Sequence, residues 1–124
     1  MDVQISKTRQ YYDTLSFSAL CDCSYCRNYR VHIRTALPAL CAALQSLGID
    51  PQKPFETSPL EPDENGILEY CACQYIVFGG CERDFHRSVD GVEIYPATSH
   101  PSTGISDAHF VLEISPVRLP YCAL

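Results

Sequence analysis

Long apolar runs are missing from this 124-residue sequence. The longest, Ala36 to Leu44 and Tyr75 to Phe78, fall far short of the ~20 residues that span a bilayer. The opening stretch, Met1 to Gln10, holds no apolar segment of signal-peptide length, so the expected compartment is a reducing cytoplasm. Positive charge is also scarce. Nine Lys and Arg stand against fifteen Asp and Glu, a net charge of −6. Nucleic acids and anionic membranes both require a cationic surface, so neither is an expected partner. There is no glycine-rich phosphate loop, no HExxH and no GxSxG, which removes the commonest nucleotide, metalloprotease and hydrolase signatures. Internal repeats and low-complexity tracts are absent as well. What remains is 46% apolar and 19% charged, the composition of a folded chain of one-domain length.

One residue type is plentiful. Eight cysteines in a reducing compartment are core residues, metal ligands or redox groups before they are disulfides.

The periodicity of apolar residues gives a coarse plan of the fold. Residues 1–10 read as a loose leader. Leu15, Phe17, Ala19 and Cys21 alternate with Thr14, Ser16, Ser18 and Leu20, the period of a strand over about 13–21. The period then changes: Cys26, Tyr29, Ile33, Leu37, Leu40, Leu44 and Leu47 are three and four apart, one face of a helix over 24–47. Arg27, Arg30 and Arg34 fall off that face. Pro38 should kink this helix, and Gly48 should stop it. Residues 49–66 hold four prolines and several acids and read as an irregular connection. Strands follow at 67–78, 89–95 and 109–114, with a long polar loop over 97–108. The expected class is α+β: one domain over 1–124, elements in β-α-β-β-β order. Its mostly antiparallel sheet has about four strands, with one long helix packed on one face.

Cys21, Cys23 and Cys26 are the sharpest feature. They fall where the expected strand ends and the helix begins, and a helix N-terminus favours thiolates, the form that binds metal or attacks electrophiles. Zinc bonds of about 2.3 Å bring tetrahedral sulfurs to roughly 3.7 Å from one another, which a turn allows and a flat strand does not. Cys73 is the expected fourth ligand, with Cys71 as the alternative. On a regular strand these two thiols share a face about 6.6 Å apart, too far for both to join one ion unless the strand bulges. The alternatives stay open. Cysteine is among the most buried residue types, so the cluster could be structural thiols or could do redox or nucleophilic chemistry. Cys41 lies beside the helical stripe as a core residue, and Cys81 and Cys122 have no partner spacing. His32 and His86 read as surface residues, and His109 opens the last strand on its outer phase. His100, held extended by Pro101 in the polar loop, is a further candidate base or ligand.

The run Cys21-Asp22-Cys23-Ser24-Tyr25-Cys26-Arg27-Asn28-Tyr29 resembles a family of short uncharacterised Cys-rich proteins from clostridia-type bacteria. So do Lys53-Pro54-Phe55-Glu56, Glu69-Tyr70-Cys71-Ala72-Cys73-Gln74-Tyr75, and Ser99-His100-Pro101 leading to His109-Phe110-Val111-Leu112-Glu113. The likeness covers about Tyr11 to Leu119 and implies an intracellular bacterial origin. It carries no established activity and therefore no mechanism.

Three functions follow as expectations. The first is a zinc-binding protein built on the Cys21–Cys26 cluster. The second is an acidic interaction module, regulatory or immunity-like, whose thiols fill the core and whose charge suits a basic protein partner. The third is a thiol-dependent enzyme, for which no residue pattern sets a general base beside a nucleophile.

Overall fold

A computed structural model describes residues 1–121. The elements run β1 (Asp2–Val3), α1 (Ile5–Thr14), a 3₁₀ turn (Phe17–Ala19), α2 (Ser24–Ala36), α3 (Pro38–Gln45), β2 (Glu56–Pro59), β3 (Ile67–Gly80), β4 (Arg87–Val89), β5 (Val92–Pro96), β6 (His109–Ser115) and β7 (Val117–Pro120). Cys122 lies outside the described residues.

Strand β3 organises the sheet. One edge pairs with β1 and β2, the other with β6 and β7, and β5 and β4 continue beyond β6. Every pairing is antiparallel. The class is α+β, as the periodicity implied, but the sheet has seven strands rather than about four.

Residues 1–10 are not a loose leader but carry β1 and most of α1. Asp2 and Val3 pair with Gly80 and Gly79, and α1 follows at once. Thr8 and Tyr12, one turn apart, are its buried residues. The Tyr12 hydroxyl donates to the Ile76 carbonyl at 2.7 Å, and the Phe78 N–H donates to Thr8 Oγ1 at 3.1 Å. Two polar anchors on one helical face thus tie α1 to β3, a signal that an apolar stripe would not show.

No strand forms over 13–21. The Ser16 hydroxyl accepts the Ser18 N–H at 3.2 Å and seeds the 3₁₀ turn, the local competition by which serine draws backbone away from a ladder. Phe17, read as inward, is 47% exposed.

The long helix is two helices. Leu37 stands at φ −133°, ψ 65°, and Pro38 is in the first turn of α3. Proline expels its preceding residue from the helical region, so Pro38 breaks the helix where a kink was expected. Gly48 does stop α3, at φ +89°, and a Cβ there would sit 2.5 Å from the Ile5 carbonyl oxygen. Glycine lets α1 approach that closely.

The helices cover one sheet face. Tyr29 and Ile33 of α2 and Leu40 and Leu44 of α3 pack in one cluster with Leu68, Tyr70, Cys73, Tyr75 and Val77 of β3 and Leu112 and Ile114 of β6. Complete burial of each Leu or Ile contributes about 1.5–3 kcal/mol. A bulge sets the phase of β3. Thr57 pairs with Cys73 while Pro59 pairs with Tyr70, so β3 spends one more residue than β2 over that interval. Tyr70 and Cys73 therefore both face the core, and Cys71 is left outside.

Candidate metal centre

Residues 15–23 cross from the end of α1 to the start of α2 and carry Cys21 and Cys23, and Cys26 follows in the first turn of α2. Two cations hold this crossing. Lys53 is buried, and its ammonium donates to the carbonyls of Tyr12 and Leu15 at 2.6 and 2.7 Å. Arg30 donates to the Cys21 carbonyl at 3.0 Å and to Asp22 Oδ1 at 3.1 Å. Both cations also lie over the Phe17 ring, 5.0 and 5.6 Å from its centroid. From the other side the Tyr70 hydroxyl donates to the Tyr25 carbonyl, and Asn28 Nδ2 donates to the Pro120 carbonyl at 2.9 Å. The first turn of α2 is thereby fastened to β3 and to the end of β7.

On this support the sulfurs of Cys21, Cys23 and Cys26 all lie within 4.8 Å of one another. Their surroundings differ. Cys21 and Cys23 are exposed and Cys26 is half-buried. Cys23 is the N-cap residue of α2, with φ −69° and ψ 163°. Burial raises its thiol pKa. The N–H groups of Cys26 and Tyr25 and the thiols of Cys21 and Cys26 outweigh that and hold it below the ordinary value. Cys23 stands at the positive end of α2, where the polarity of the first N–H groups favours a thiolate. Cys26 behaves oppositely. Burial, with the neighbouring thiols adding to it, pushes its pKa up to about 12 against the opposing Thr57 hydroxyl. Thr57 Oγ1 stands 3.6 Å from the Cys26 sulfur.

The three thiols open onto a cleft of about 420 Å³, walled also by Tyr11, Leu20, Arg30, Lys53, Phe55 and Thr57. Its lining was only partly legible in the sequence. Arg30 is seven residues after Cys23 and therefore on the same helical face, which the spacing could have shown. Lys53 and Thr57 come from the proline-rich connection and give no comparable signal.

The other candidates lie elsewhere. Among the described residues the cluster has three members, and neither Cys71 nor Cys73 belongs to it. The expectation that those two share a face fails at the bulge: Cys73 is fully buried and Cys71 exposed. Burial pushes the Cys73 thiol pKa well up, against the Tyr29 hydroxyl that faces it. Cys41 is buried, as its place beside the helical stripe implied. His100 is exposed and its Nδ1 lies 2.7 Å from the Pro101 carbonyl. His109 instead fastens the polar loop, with Nε2 2.7 Å from Thr103 Oγ1 and Nδ1 2.8 Å from the Asp107 carbonyl. The junction itself is corrected too, since the thiols follow a 3₁₀ turn rather than a strand.

A comparison with known protein families, curated proteins and solved structures finds no match for this chain. Among the described residues no helix is long and apolar enough to cross a membrane. The geometry stands on its own: a cluster of three cysteines close enough to hold a metal ion.

Proposed function

We propose that this protein binds zinc through the thiolates of Cys21, Cys23 and Cys26, with the fourth coordination position turned toward the cleft. The observation that carries this reading is the mutual approach of the three sulfurs to within 4.8 Å. Rotation of side chains at the surface brings them to the roughly 3.7 Å of a tetrahedral zinc–thiolate site. Soft thiolates select zinc over magnesium or calcium. Three protein ligands with an open position is the pattern of ions that meet a further ligand, whereas closed structural sites use four. Thiols that serve this way must stay reduced, so the reading goes with a cytoplasmic location.

All three ligands lie within six residues of the chain. The ion therefore does not join distant segments, and an unfolded chain can still offer the same three thiols. Binding to the unfolded state subtracts from the stabilisation that metal gives. Protein purified without affinity-column metal is expected to carry near-stoichiometric zinc, and chelation should lower its melting temperature by a few degrees only, roughly the effect of 1 kcal/mol in a domain of this size. Metal-free protein that takes up no zinc on titration would sink the reading.

A further inference from the structure

We propose that in its metal-free form the segment Cys23-Ser24-Tyr25-Cys26 is a dithiol that reduces disulfides, with Cys23 attacking and Cys26 resolving. The inference goes beyond metal binding and does not depend on it. It rests on the unequal placement of two close sulfurs. Cys23 is exposed at the N-cap of α2, where an incoming disulfide can reach it. Cys26 is one helical turn on, half-buried against Thr57 of β2 and within 4.8 Å of Cys23. Of these two sulfurs an outside disulfide meets the more exposed Cys23 first, and Cys26 is placed to reach a sulfur bonded to Cys23. The adjoining cleft, with Tyr11, Leu20 and Phe55 in its walls, gives room for the groups the substrate sulfurs carry.

The Cys23 thiolate attacks one sulfur of the substrate disulfide, that S–S bond breaks, and the leaving thiolate takes up a proton. Cys26 then loses its proton and attacks the Cys23 sulfur of the mixed disulfide, releasing the second substrate thiol. Two electrons pass from the cysteine pair to the substrate, two thiols leave with the pair's two protons, and a Cys23–Cys26 disulfide remains. Zinc and exchange use the same sulfurs, so bound zinc protects the pair and oxidation expels the ion.

Oxidised glutathione added to reduced, metal-free protein tests this by intact mass and thiol release. The expected product has lost two hydrogens, has released two glutathione molecules per chain, and maps its disulfide to Cys23 and Cys26. Cys26→Ser should trap one glutathione on Cys23. Cys23→Ser should react at least tenfold more slowly, and Cys71→Ser, which alters an exposed thiol away from the cluster, at the parent rate. Adducts forming on Cys21 and Cys71 as fast as on Cys23 would overturn the proposal, as would a Cys26→Ser protein that stays unmodified. Zinc-loaded protein should exchange at least tenfold more slowly, and an unchanged rate there would count against shared sulfurs. Protein that binds zinc but leaves glutathione disulfide untouched keeps the metal site and loses this inference. Protein that exchanges without binding zinc does the reverse.

Discussion

Two stretches of the chain put cysteines two residues apart, and the fold treats them in opposite ways. Cys21 and Cys23 stand together at the surface beside Cys26, whereas Cys71 and Cys73 are divided between solvent and core. The residue type and the spacing are shared, so the backbone makes the difference. Before α2 the chain turns, and a turn can gather side chains that a ladder keeps apart. On β3 the sheet fixes every direction, and one extra residue at the bulge reverses the phase between Cys71 and Cys73. Spacing of ligand-type residues therefore predicts a site only together with the local dihedral pattern.

The strongest way to break this contrast is to exchange sulfur for oxygen in each set. Cys23→Ser should remove essentially all bound zinc while Cys41→Ser keeps a full equivalent, as read by metal analysis of the purified proteins. Equal retention by both would remove the distinction between exposed and buried thiols. Proton competition gives the next largest effect. Cys26 enters protonated because burial holds its pKa up to about 12, so zinc must displace its proton. Apparent zinc affinity should thus fall as pH falls, by roughly tenfold per unit for each proton displaced. Competition titrations between about pH 8 and pH 6 check this, and a flat profile would argue against thiolate ligation.

Smaller effects sharpen the other side of the contrast. Cys73→Ser places a hydroxyl in a fully buried position and should lower stability by about 1–3 kcal/mol while leaving the zinc content unchanged. Denaturant unfolding and metal analysis on one preparation read both quantities. Cys71→Ser should change stability by less than about 0.5 kcal/mol, the usual range for a surface substitution. A larger loss there would mean that the outer thiol also packs.

Much of this was legible in the sequence. The three-and-four spacing from Cys26 to Leu44 identified the helical face, since Tyr29, Ile33, Leu40 and Leu44 are all in the core. Phe110, Leu112 and Ile114 marked the inner phase of β6 in the same way. The cysteine cluster was visible because its members are near neighbours in sequence and a helix start is locally encoded. The failures share a cause. At 13–21 two serines bonding each other and a nearby N–H overrode an apolar alternation that no partner strand supported. α1 was missed because its anchors are a threonine and a tyrosine hydroxyl rather than an apolar stripe. The bulge depends on the register between β2 and β3, a relation between segments that neither one shows alone.

Lys53 carries a consequence for chemical labelling. The chain has two lysines, Lys7 and Lys53. The Lys7 ammonium sits at the surface beside Asp107, 43% exposed, whereas that of Lys53 is engaged by two carbonyls at the end of α1. An acylating reagent supplied sparingly meets Lys7 in the folded protein and reaches Lys53 only after α1 has lifted from its neighbours. The delay between the two acylations therefore times the opening of the N-terminal segment, without any label having to be engineered into the chain.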